Sequence, residues 1–293
     1  RLSYVKSDVA RAKAAEAIAG GVIEANADNA AMHAAENRTT LIYNDWGDHR
    51  VGADILCYMN GYKDPRMEKM FLANDVDVYV GIRIGIDVAG KSTAMSKYSN
   101  MIVASATPYL WFNAAEATFL RAEYELRWGS AETAKTLYEQ AVRLSFEERG
   151  ASGADAYLAD ATKKPAPYTD PLGNYSASAR SEITVPWETA VASTDAEAVK
   201  ERNLERIIVQ KWIAIFPLGV EAWSEHRRTG YPKLLPVPTD KSGGTVNVEQ
   251  GARRLPYPVE EYQQNNANLQ AAIQTLGAEQ QNGDRSGDVM GTR

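Results

Sequence analysis

Aromatic residues in polar loops are the side chains of this sequence best suited to hold a ligand. Trp46 lies in the segment YNDWGDHR and Trp187 in the segment TVPWET, while Tyr168 and Tyr175 open and close the segment YTDPLGNY. An aromatic ring offers an apolar face on which a sugar ring can stack, and nearby Asp, Asn and Gln side chains can bond its hydroxyls. We predict a binding role for these four residues. The alternative is that each ring only anchors its own loop.

The spacing of the carboxylates and histidines disfavours catalysis and metal binding. A glycosidase needs two carboxylates that face each other across a cleft, about 5 to 10 Å apart. Asp45 with Asp48, and Glu221 with Glu225, have turn or helical spacing, which places each pair on one solvated face. The three histidines are scattered, and no EF-hand or phosphate-binding loop is present. We therefore predict no enzymatic activity, no cofactor and no metal ion.

Composition limits the class of protein and its partners. The chain has 293 residues, of which 44% are hydrophobic and 24% charged, and this balance is typical of a globular protein with a real core. Its net charge of -6 disfavours binding to nucleic acid. The sequence contains no run of about 18 apolar residues, so we predict no transmembrane helix. The single cysteine, Cys57, cannot form an internal disulfide and is expected to be buried.

A helical hairpin is the strongest structural pattern. Apolar residues recur every three or four positions from Trp111 to Leu126, and a Trp-Gly-Ser connection leads into a second amphipathic helix. Small and aromatic residues alternate on the inner face of that second helix, at Ala134, Tyr138 and Ala141. This arrangement resembles the second helix of a tetratricopeptide repeat, in which small residues let neighbouring helices approach closely.

The remaining patterns complete a mainly α-helical prediction. Further helical patterns occupy, in chain order, residues 3–25, 50–59, 197–216, 220–226 and 260–276. Loosely alternating β-branched and glycine residues from Asp75 to Met95 predict strands or an extended loop. Residues 150–196 are rich in Ser, Ala, Pro and Gly and predict a loop-rich layer. Trp111, Trp212 and Trp223 fall on apolar stripes and are expected to pack in the core.

Four segments carry a family resemblance through their joint order and spacing. Tyr109–Gly150 begins YLWFNAAEATFLRAEYELRWG, Leu204–Val237 contains QKWIAIFPLGVEAWSEHRRTGYPK, Arg253–Gly277 begins RRLPYPVEEY, and Asp64–Phe71 reads DPRMEKMF. Together they span nearly all of residues 60–280, and they resemble the C-terminal half of SusD-like (RagB/SusD) proteins. The resemblance implies that Arg227-Arg228 and Arg253-Arg254 are structural and bridge carboxylates and helix-end carbonyls.

The same resemblance implies a fold and a domain organisation. We expect tetratricopeptide-like helical hairpins that support an irregular, loop-rich subdomain, all within one SusD-like domain over residues 1–293. The helical scaffold would occupy about 1–149 and 197–293, and a loop-rich insertion on the ligand side about 150–196. The N-terminal part of the family domain, with its lipid-bearing cysteine, is expected to be missing, and Cys57 lies too far inside the domain to replace that cysteine.

The resemblance also implies a function. Family members are expected at the cell surface, held to the outer membrane by a lipid anchor, which here would lie outside this fragment. They capture oligosaccharides and deliver them to a SusC-like TonB-dependent transporter, without chemistry on the sugar. Two alternatives remain open: a peptide-binding component of an importer, and a helical-repeat scaffold for protein partners. A glycoside hydrolase is the third reading, which product formation would reveal.

Overall fold

The computed structural model describes residues 1–33, 35, 37–88, 90–244, 247–249 and 257–276. Contacts between Cα atoms divide the chain into two compact units. The first contains residues 1–82 and 88–234, and the second contains residues 83–87 and 235–293. Helices dominate the described elements, so the predicted mainly α class is confirmed. The assignment of all 293 residues to one SusD-like domain stays a prediction.

The first unit contains most of the helices. They are α1 (Ser7–Ala19), α2 (Ala53–Tyr62), α3 (Met67–Met70), α4 (Lys91–Lys97), α5 (Ala114–Trp128), α6 (Ala131–Glu148), α7 (Ala154–Ala159), α8 (Ala196–Ala214) and α9 (Gly219–Thr229). A 3-10 turn (Asn26–Asp28) and a short π-helix (Leu41–Asp45) precede α2. The strands form two antiparallel pairs: β1 (Ala30–Met32) with β4 (Tyr109–Phe112), and β2 (Phe71–Leu72) with β3 (Asn100–Met101).

Helices α5 and α6 form the predicted hairpin. The Asn113 side chain accepts a hydrogen bond from Glu116 N at the start of α5, and Ser130 accepts one from Thr133 N at the start of α6. Such caps satisfy amide groups that have no partner within the helix. The inner face of α6 is buried at every predicted position: Ala134, Leu137, Tyr138, Ala141, Val142 and Ser145. The 3.6-residue period therefore predicts this interface correctly.

Helix α8 lies at the centre of the packing, against both α5 and α6. Ile207, Ile208, Val209 and Ile213 are at most 1% exposed. Burial of each such side chain stabilises the fold by about 1.5–3 kcal/mol. Trp212 packs against this core with its ring edge-on to Tyr58, at a centroid distance of 5.6 Å, as the apolar stripe predicts.

A fully buried arginine joins α3 to the helices around it. Arg66 is 0% exposed and makes an ion pair with Asp64 at 2.5 Å. Its guanidinium also donates to Ser145 Oγ at 2.9 Å and to Gln210 Oε1 at 2.8 Å, which connects the DPRMEKMF segment to α6 and α8. Burial alone would lower the pKa of Arg66, but the adjacent Asp64 carboxylate raises it above its usual value. The side chain is therefore a charged crosslink inside the fold.

Two sequence-based expectations for tryptophans are wrong. Trp111 lies on β4, before α5 begins, and is 62% exposed. The Asn113 cap explains the difference, because α5 starts only after that residue. Trp223 lies on α9 but is 39% exposed, and the Arg227 guanidinium stacks over its ring at 4.8 Å. An amphipathic stripe locates a helix face, but it does not establish that another element covers that face.

The segment from Asp75 to Met95 is an extended loop followed by α4. Asn74 prevents strand pairing at its start, because its side-chain oxygen accepts hydrogen bonds from Val76 N and Val78 N. Asp77 takes a left-handed conformation with φ 59° in the same turn. Of the two predicted forms, the loop is therefore the correct one, apart from a single bridge between Ile82 and Gly52.

The second unit contains α10 (Val259–Gln264) and α11 (Asn266–Leu276), which replace the single closing helix that the sequence predicts. Within this unit, Arg83 donates to Pro236 O at 2.6 Å, and Val237 N donates to Val248 O at 3.0 Å. Arg253 and Arg254 lie outside the described residues. Among the described residues, the helices are too short or too polar to cross a membrane.

Candidate ligand-binding surface

Trp46 is exposed on a firmly held loop. Its amide donates to Leu41 O at 2.8 Å at the end of the π-helix, and its side chain is 53% exposed. The loop is held on both sides, because Asn44 Nδ2 donates to Val103 O at 3.1 Å and Arg50 Nε donates to Ala94 O at 3.3 Å. A large aromatic ring on a fixed backbone can receive a flat ligand at little cost in conformational entropy.

The polar neighbours of Trp46 are exposed as well. Asn44, Asp45 and Asp48 all reach solvent. Lys91 Nζ lies 2.8 Å from Asp48, and this hydrogen bond lowers the pKa of the Asp48 carboxyl. Hydroxyl groups of a ligand could bond these side chains. Because Asp48 is paired with a lysine and fully ionised, it is poorly suited to act as a general acid.

Tyr168 is buried, whereas its predicted binding role requires an exposed ring. Its side chain is only 3% exposed, and its backbone forms a bridge with Ala177. The ring therefore has no free face for a ligand and anchors its loop. Burial, reinforced by the Tyr98 hydroxyl and the Asp170 carboxylate, raises the pKa of Tyr168 above its usual range. For Tyr168, the burial supports the alternative that the ring only anchors its own loop.

Tyr175 lies half-buried at the end of the same loop. The buried Asp170 organises this loop: its Oδ2 accepts from Asn174 N at 2.9 Å and from Tyr175 N at 3.1 Å. The other carboxylate oxygen accepts a hydrogen bond from the Tyr98 hydroxyl at 3.1 Å. Burial and the Asp170 carboxylate raise the pKa of Tyr98 to about 12. Segment 94–103 is thus hydrogen-bonded both to the Trp46 loop and to the Tyr175 loop.

Trp187 belongs to a different part of the first unit. Its half-buried ring packs against the core and lies 5.6 Å from the Tyr138 ring of α6. Tyr138 Oη donates to Val185 O at 2.6 Å, which fixes the same loop to the same helix. The structure therefore connects Trp46 and Tyr175 through a common segment, whereas Trp187 packs on α6.

Three exposed apolar side chains, on α4 and on the turn bonded to it, were missed by the sequence analysis. Met95 is 48% exposed, and its side chain lies beside Gly47, where a Cβ would come within 3.2 Å of the Met95 methyl carbon. Val76 and Val78 are 66% and 51% exposed, on a turn tied to α4 by Asp75 N and Ser96 O at 3.0 Å. The sequence signal that could have revealed them is the run of β-branched residues after Asn74. The Asn74 side chain forms a turn there and interrupts the strand pattern.

A buried ionic cluster connects α5, α8 and α9. The Lys211 ammonium is 3.5 Å from carboxylate oxygens of Glu116, Glu221 and Glu225. Glu221 and Glu225 therefore converge on a buried lysine and are not an unpaired acid and base across a cleft. Burial raises the pKa of Glu116, because the nearby lysine does not fully offset its loss of solvation.

Arg228 extends this cluster, as the resemblance implied. It pairs with Glu225 and, at 2.5 Å, with Glu123. Burial of Glu123 would raise its pKa, but the hydrogen bonds and charges of Arg228 and Arg127 outweigh that effect and lower the pKa to about 2. The structural role predicted for Arg228 is confirmed. Arg227 stacks on Trp223.

A pocket of about 730 Å³ lies between α1 and α5. Its walls are mainly apolar, with Ala14 and Ala17 on one side and Tyr124 and Trp128 on the other. The charged side chains at its end, including Glu123 and Arg228, already pair with each other. Among the described residues, no group of three His, Cys, Asp or Glu side chains is arranged to hold a metal ion. The exposed, polar-edged surface around Trp46 thus has the better chemistry for a hydroxylated ligand.

Comparison with known proteins gives a consistent result. A family model described as SusD-like, Susd and RagB outer membrane lipoprotein, matches residues 1–292. A search of curated proteins gives no match. A SusD homologue from Bacteroides thetaiotaomicron is 49% identical with a TM-score of 0.86, and the match covers 100% of this chain and 61% of that one.

Two further solved structures agree. A SusD homologue from Bacteroides uniformis is 42% identical with a TM-score of 0.82, over 99% of this chain and 60% of that one. A chitin-binding SusD homologue from Flavobacterium johnsoniae is 37% identical with a TM-score of 0.83, over 100% of this chain and 59% of that one. The chain thus spans about three-fifths of the length of these structures. Because the family model matches residues 1–292, nearly the whole chain, the chain belongs to the SusD-like family of outer membrane lipoproteins.

Proposed function

We propose that this chain belongs to a cell-surface protein that binds an oligosaccharide at the surface around Trp46 and delivers it to a SusC-like TonB-dependent transporter. The observation that carries the proposal is the exposed Trp46 indole on a loop fixed by Asn44 and Arg50. The relative from Flavobacterium johnsoniae, described as chitin-binding, supports a sugar as the ligand class.

Binding would rest on stacking and hydrogen bonding. One face of a sugar ring would lie on the indole of Trp46, and its hydroxyls would bond the exposed Asn44 and Asp45 side chains. Tyr175, whose loop is bonded to the same segment 94–103 through Asp170, is the second aromatic residue proposed to contact the ligand. No covalent step is involved, so the sugar leaves unchanged.

Calorimetric titration of the full-length protein with a panel of neutral and N-acetylated oligosaccharides tests this proposal. One of them is expected to bind at micromolar to millimolar concentration without product formation. Trp46→Ala should weaken that binding about tenfold, since a stacked ring contributes on the order of 1 kcal/mol or more. Trp111→Ala is the matched control, because Trp111 is at least as exposed as Trp46 but lies on β4.

Two results would contradict the proposal. Equal loss of binding in the two tryptophan variants would show that Trp46 has no special role. Release of shorter sugars by the purified protein would identify a hydrolase instead.

A peptide is the second candidate ligand. The exposed apolar side chains of Val76, Val78 and Met95 favour it, because they offer no hydrogen bonds to sugar hydroxyls but could cover apolar peptide side chains. Titration with apolar peptides and with oligosaccharides, on the same wild-type protein, separates the two ligand classes. Peptide binding that survives Trp46→Ala but is lost in Met95→Ser would favour the peptide.

The transporter and the membrane anchor belong to the proposal as well. A lipid anchor outside residues 1–293 would hold the protein at the outer membrane surface. Co-purification of the full-length protein with a TonB-dependent barrel tests the partner. If Trp46→Ala leaves this association intact while sugar binding falls, ligand and transporter use different surfaces; a purely scaffolding role would show association without any sugar binding.

A further inference from the structure

Helix α1 has little packing to stabilise it. None of its 13 residues is buried. A helix of this length is marginally stable in water by itself, so most of its stability must come from the packing of one face. The residues of α1 that line the pocket toward α5 lie on one side of the helix, and they are Ala10, Ala14, Ala17 and Ile18. Three of them are half-buried and Ala17 is exposed, so this face is only partly covered.

The contacts between α1 and α5 lie at one end of the two helices. Trp128 Nε1 donates to Ser7 Oγ at 3.3 Å, which joins the start of α1 to the end of α5. The Arg127 guanidinium lies 4.5 Å from the ring centre of Tyr4, just before α1. Elsewhere the pocket of about 730 Å³ lies between the two helices, which touch far less than α5 and α6 do. We call this opening the α1–α5 groove.

Helix α5 is apolar on two opposite sides. One side packs in the core, where Ala115, Phe119 and Ala122 are 0% exposed. The other side lines the α1–α5 groove with Ala117, Leu120, Tyr124 and Trp128, which recur every three or four positions. Leu120 is 39% exposed, and the half-buried rings of Tyr124 and Trp128 contact each other edge-on with their centres 5.5 Å apart. A helix that is apolar on both sides is typical of a position between two layers, and the second layer here is incomplete.

The charged residues of the groove already have partners. Glu123 and Arg228 pair with each other, and Arg121 Nη1 lies 3.0 Å from Glu24 Oε1. The apolar stripe of α5 is therefore the part of the lining that most needs a cover. An amphipathic helix suits such a groove, because apolar residues spaced three and four positions apart fit between two helices while its polar face stays in water.

The longer relatives provide a source for this helix. The three solved structures are matched over only 61%, 60% and 59% of their own length, so about two-fifths of each lies outside the match. Stacked helical hairpins bury their apolar faces against neighbouring hairpins of the same polypeptide. A segment of the same polypeptide also has a high effective concentration, which makes a groove of modest apolar area sufficient for docking.

We propose that the α1–α5 groove is the docking site for an amphipathic helix of the same polypeptide, supplied by the part of the full-length protein outside residues 1–293. That helix would cover Leu120, Tyr124 and Trp128 on α5, and Ala14 and Ala17 on α1. The proposal rests on the groove and on the length of the relatives, and it does not depend on the sugar-binding role proposed for Trp46.

Thiol labelling of the full-length protein tests the proposal. Ala17→Cys places a thiol inside the groove, and Ala12→Cys places the matched control on the opposite side of α1; both alanines are exposed in this chain. The native Cys57 is buried, and wild type gives the background. A maleimide should label position 17 about tenfold more slowly than position 12, because labelling must await local opening of the docked helix. The two rates should become equal in urea.

Two further measurements do not depend on a new cysteine. Hydrogen exchange of the wild-type full-length protein should show the amides of α1 protected at least about tenfold, since a docked neighbour stabilises this helix. Leu120→Gln should lower the melting temperature of the full-length protein by about 3 °C or more, through loss of a covered apolar side chain. Leu72→Gln is its matched control, because Leu72 is 52% exposed and lies outside the groove.

The occupant is identified by the conditions under which position 17 is protected. Protection that persists on dilution of the full-length protein supports a helix of the same polypeptide. Protection that is lost on dilution would assign the groove to a second copy, and protection that requires an added TonB-dependent barrel would assign it to the transporter. Either result would overturn the proposal, as would equal labelling of positions 12 and 17 or equal melting temperatures of the Leu120→Gln and Leu72→Gln variants.

Discussion

The helical layer around Arg66 and the loop surface around Trp46 use large side chains in opposite ways. Arg66 is completely buried, and its guanidinium bonds Asp64, Ser145 and Gln210. The Trp46 indole is 53% exposed, although its loop is fixed by hydrogen bonds on both sides. In this protein the charged residues within the helical layer hold helices together, and an exposed aromatic residue on a rigid loop is the better indication of a ligand.

Removal of Arg66 should have the largest effect on the helical layer. Arg66→Met should lower the free energy of unfolding by about 3–5 kcal/mol, because it leaves the buried Asp64 carboxylate unpaired. Urea denaturation followed by circular dichroism measures the change. The double variant Asp64→Asn/Arg66→Met should recover part of the loss, and a loss no smaller than that of the single variant would contradict the crosslink.

The pH dependence of stability tests the ionic cluster. The pKa of Glu123 is lowered from 4.5 to about 2 in the folded protein. Its charge therefore stabilises the fold fully above pH about 4.5, and this contribution, on the order of 2–3 kcal/mol, is lost as the pH falls toward about 2. Glu123→Gln should flatten the loss of stability between pH 5 and about 3, as measured by urea midpoints.

Glu116 provides the control of opposite sign. Burial raises its pKa, so its charged form costs stability at neutral pH and protonation stabilises the fold as the pH falls. Glu116→Gln should therefore not flatten the acid limb of the curve. Identical pH profiles for the two variants would show that Arg228 and Lys211 do not distinguish the two carboxylates.

Trp187 should behave as part of the helical layer, although it was predicted to bind ligand. Trp187→Ala should lower the free energy of unfolding by about 2–3 kcal/mol, because its ring packs on Tyr138 and on the core. Binding of the oligosaccharide, measured where the variant is folded, should stay within about twofold of wild type. A large loss of binding with unchanged stability would return Trp187 to the ligand surface.

Trp46 should show the smallest effect on stability. Trp46→Ala should change the free energy of unfolding by less than about 0.5 kcal/mol, since the indole is exposed and the loop is held by Asn44 and Arg50. The same variant should lose about tenfold in oligosaccharide affinity. A destabilisation as large as that of Trp187→Ala would mean that both tryptophans are anchors.

Local patterns predicted the helical hairpin well. The 3.6-residue period and the Ser130 cap identify α6, and every predicted inner-face position is buried, although the buried Phe146 was not predicted. The same reasoning failed for Trp111, because an apolar residue before a helix cap continues the period without belonging to the helix. It also left strand and loop open after Asn74, where one side chain binds two backbone amides that a strand would otherwise use.

The candidate surface was predicted less completely. Trp46 is exposed, as its polar loop suggested, and the polar residues beside it in sequence are exposed as well. Tyr168 lies in an equally polar loop but is buried, because Asp170 of that loop accepts a hydrogen bond from Tyr98, which is 72 residues away in the chain. Composition of a loop does not reveal which of its rings faces inward.

The sequence by itself determined the family, the mainly helical class and the α5–α6 hairpin, because these depend on periodicity and on the order of motifs along the chain. Tertiary structure alone decided which aromatic rings are free, that Glu221 and Glu225 surround Lys211, and that α1 and α5 enclose an apolar groove. These outcomes depend on contacts between residues far apart in the chain, where burial and hydrogen-bond partners, and not residue type, set what a side chain can do.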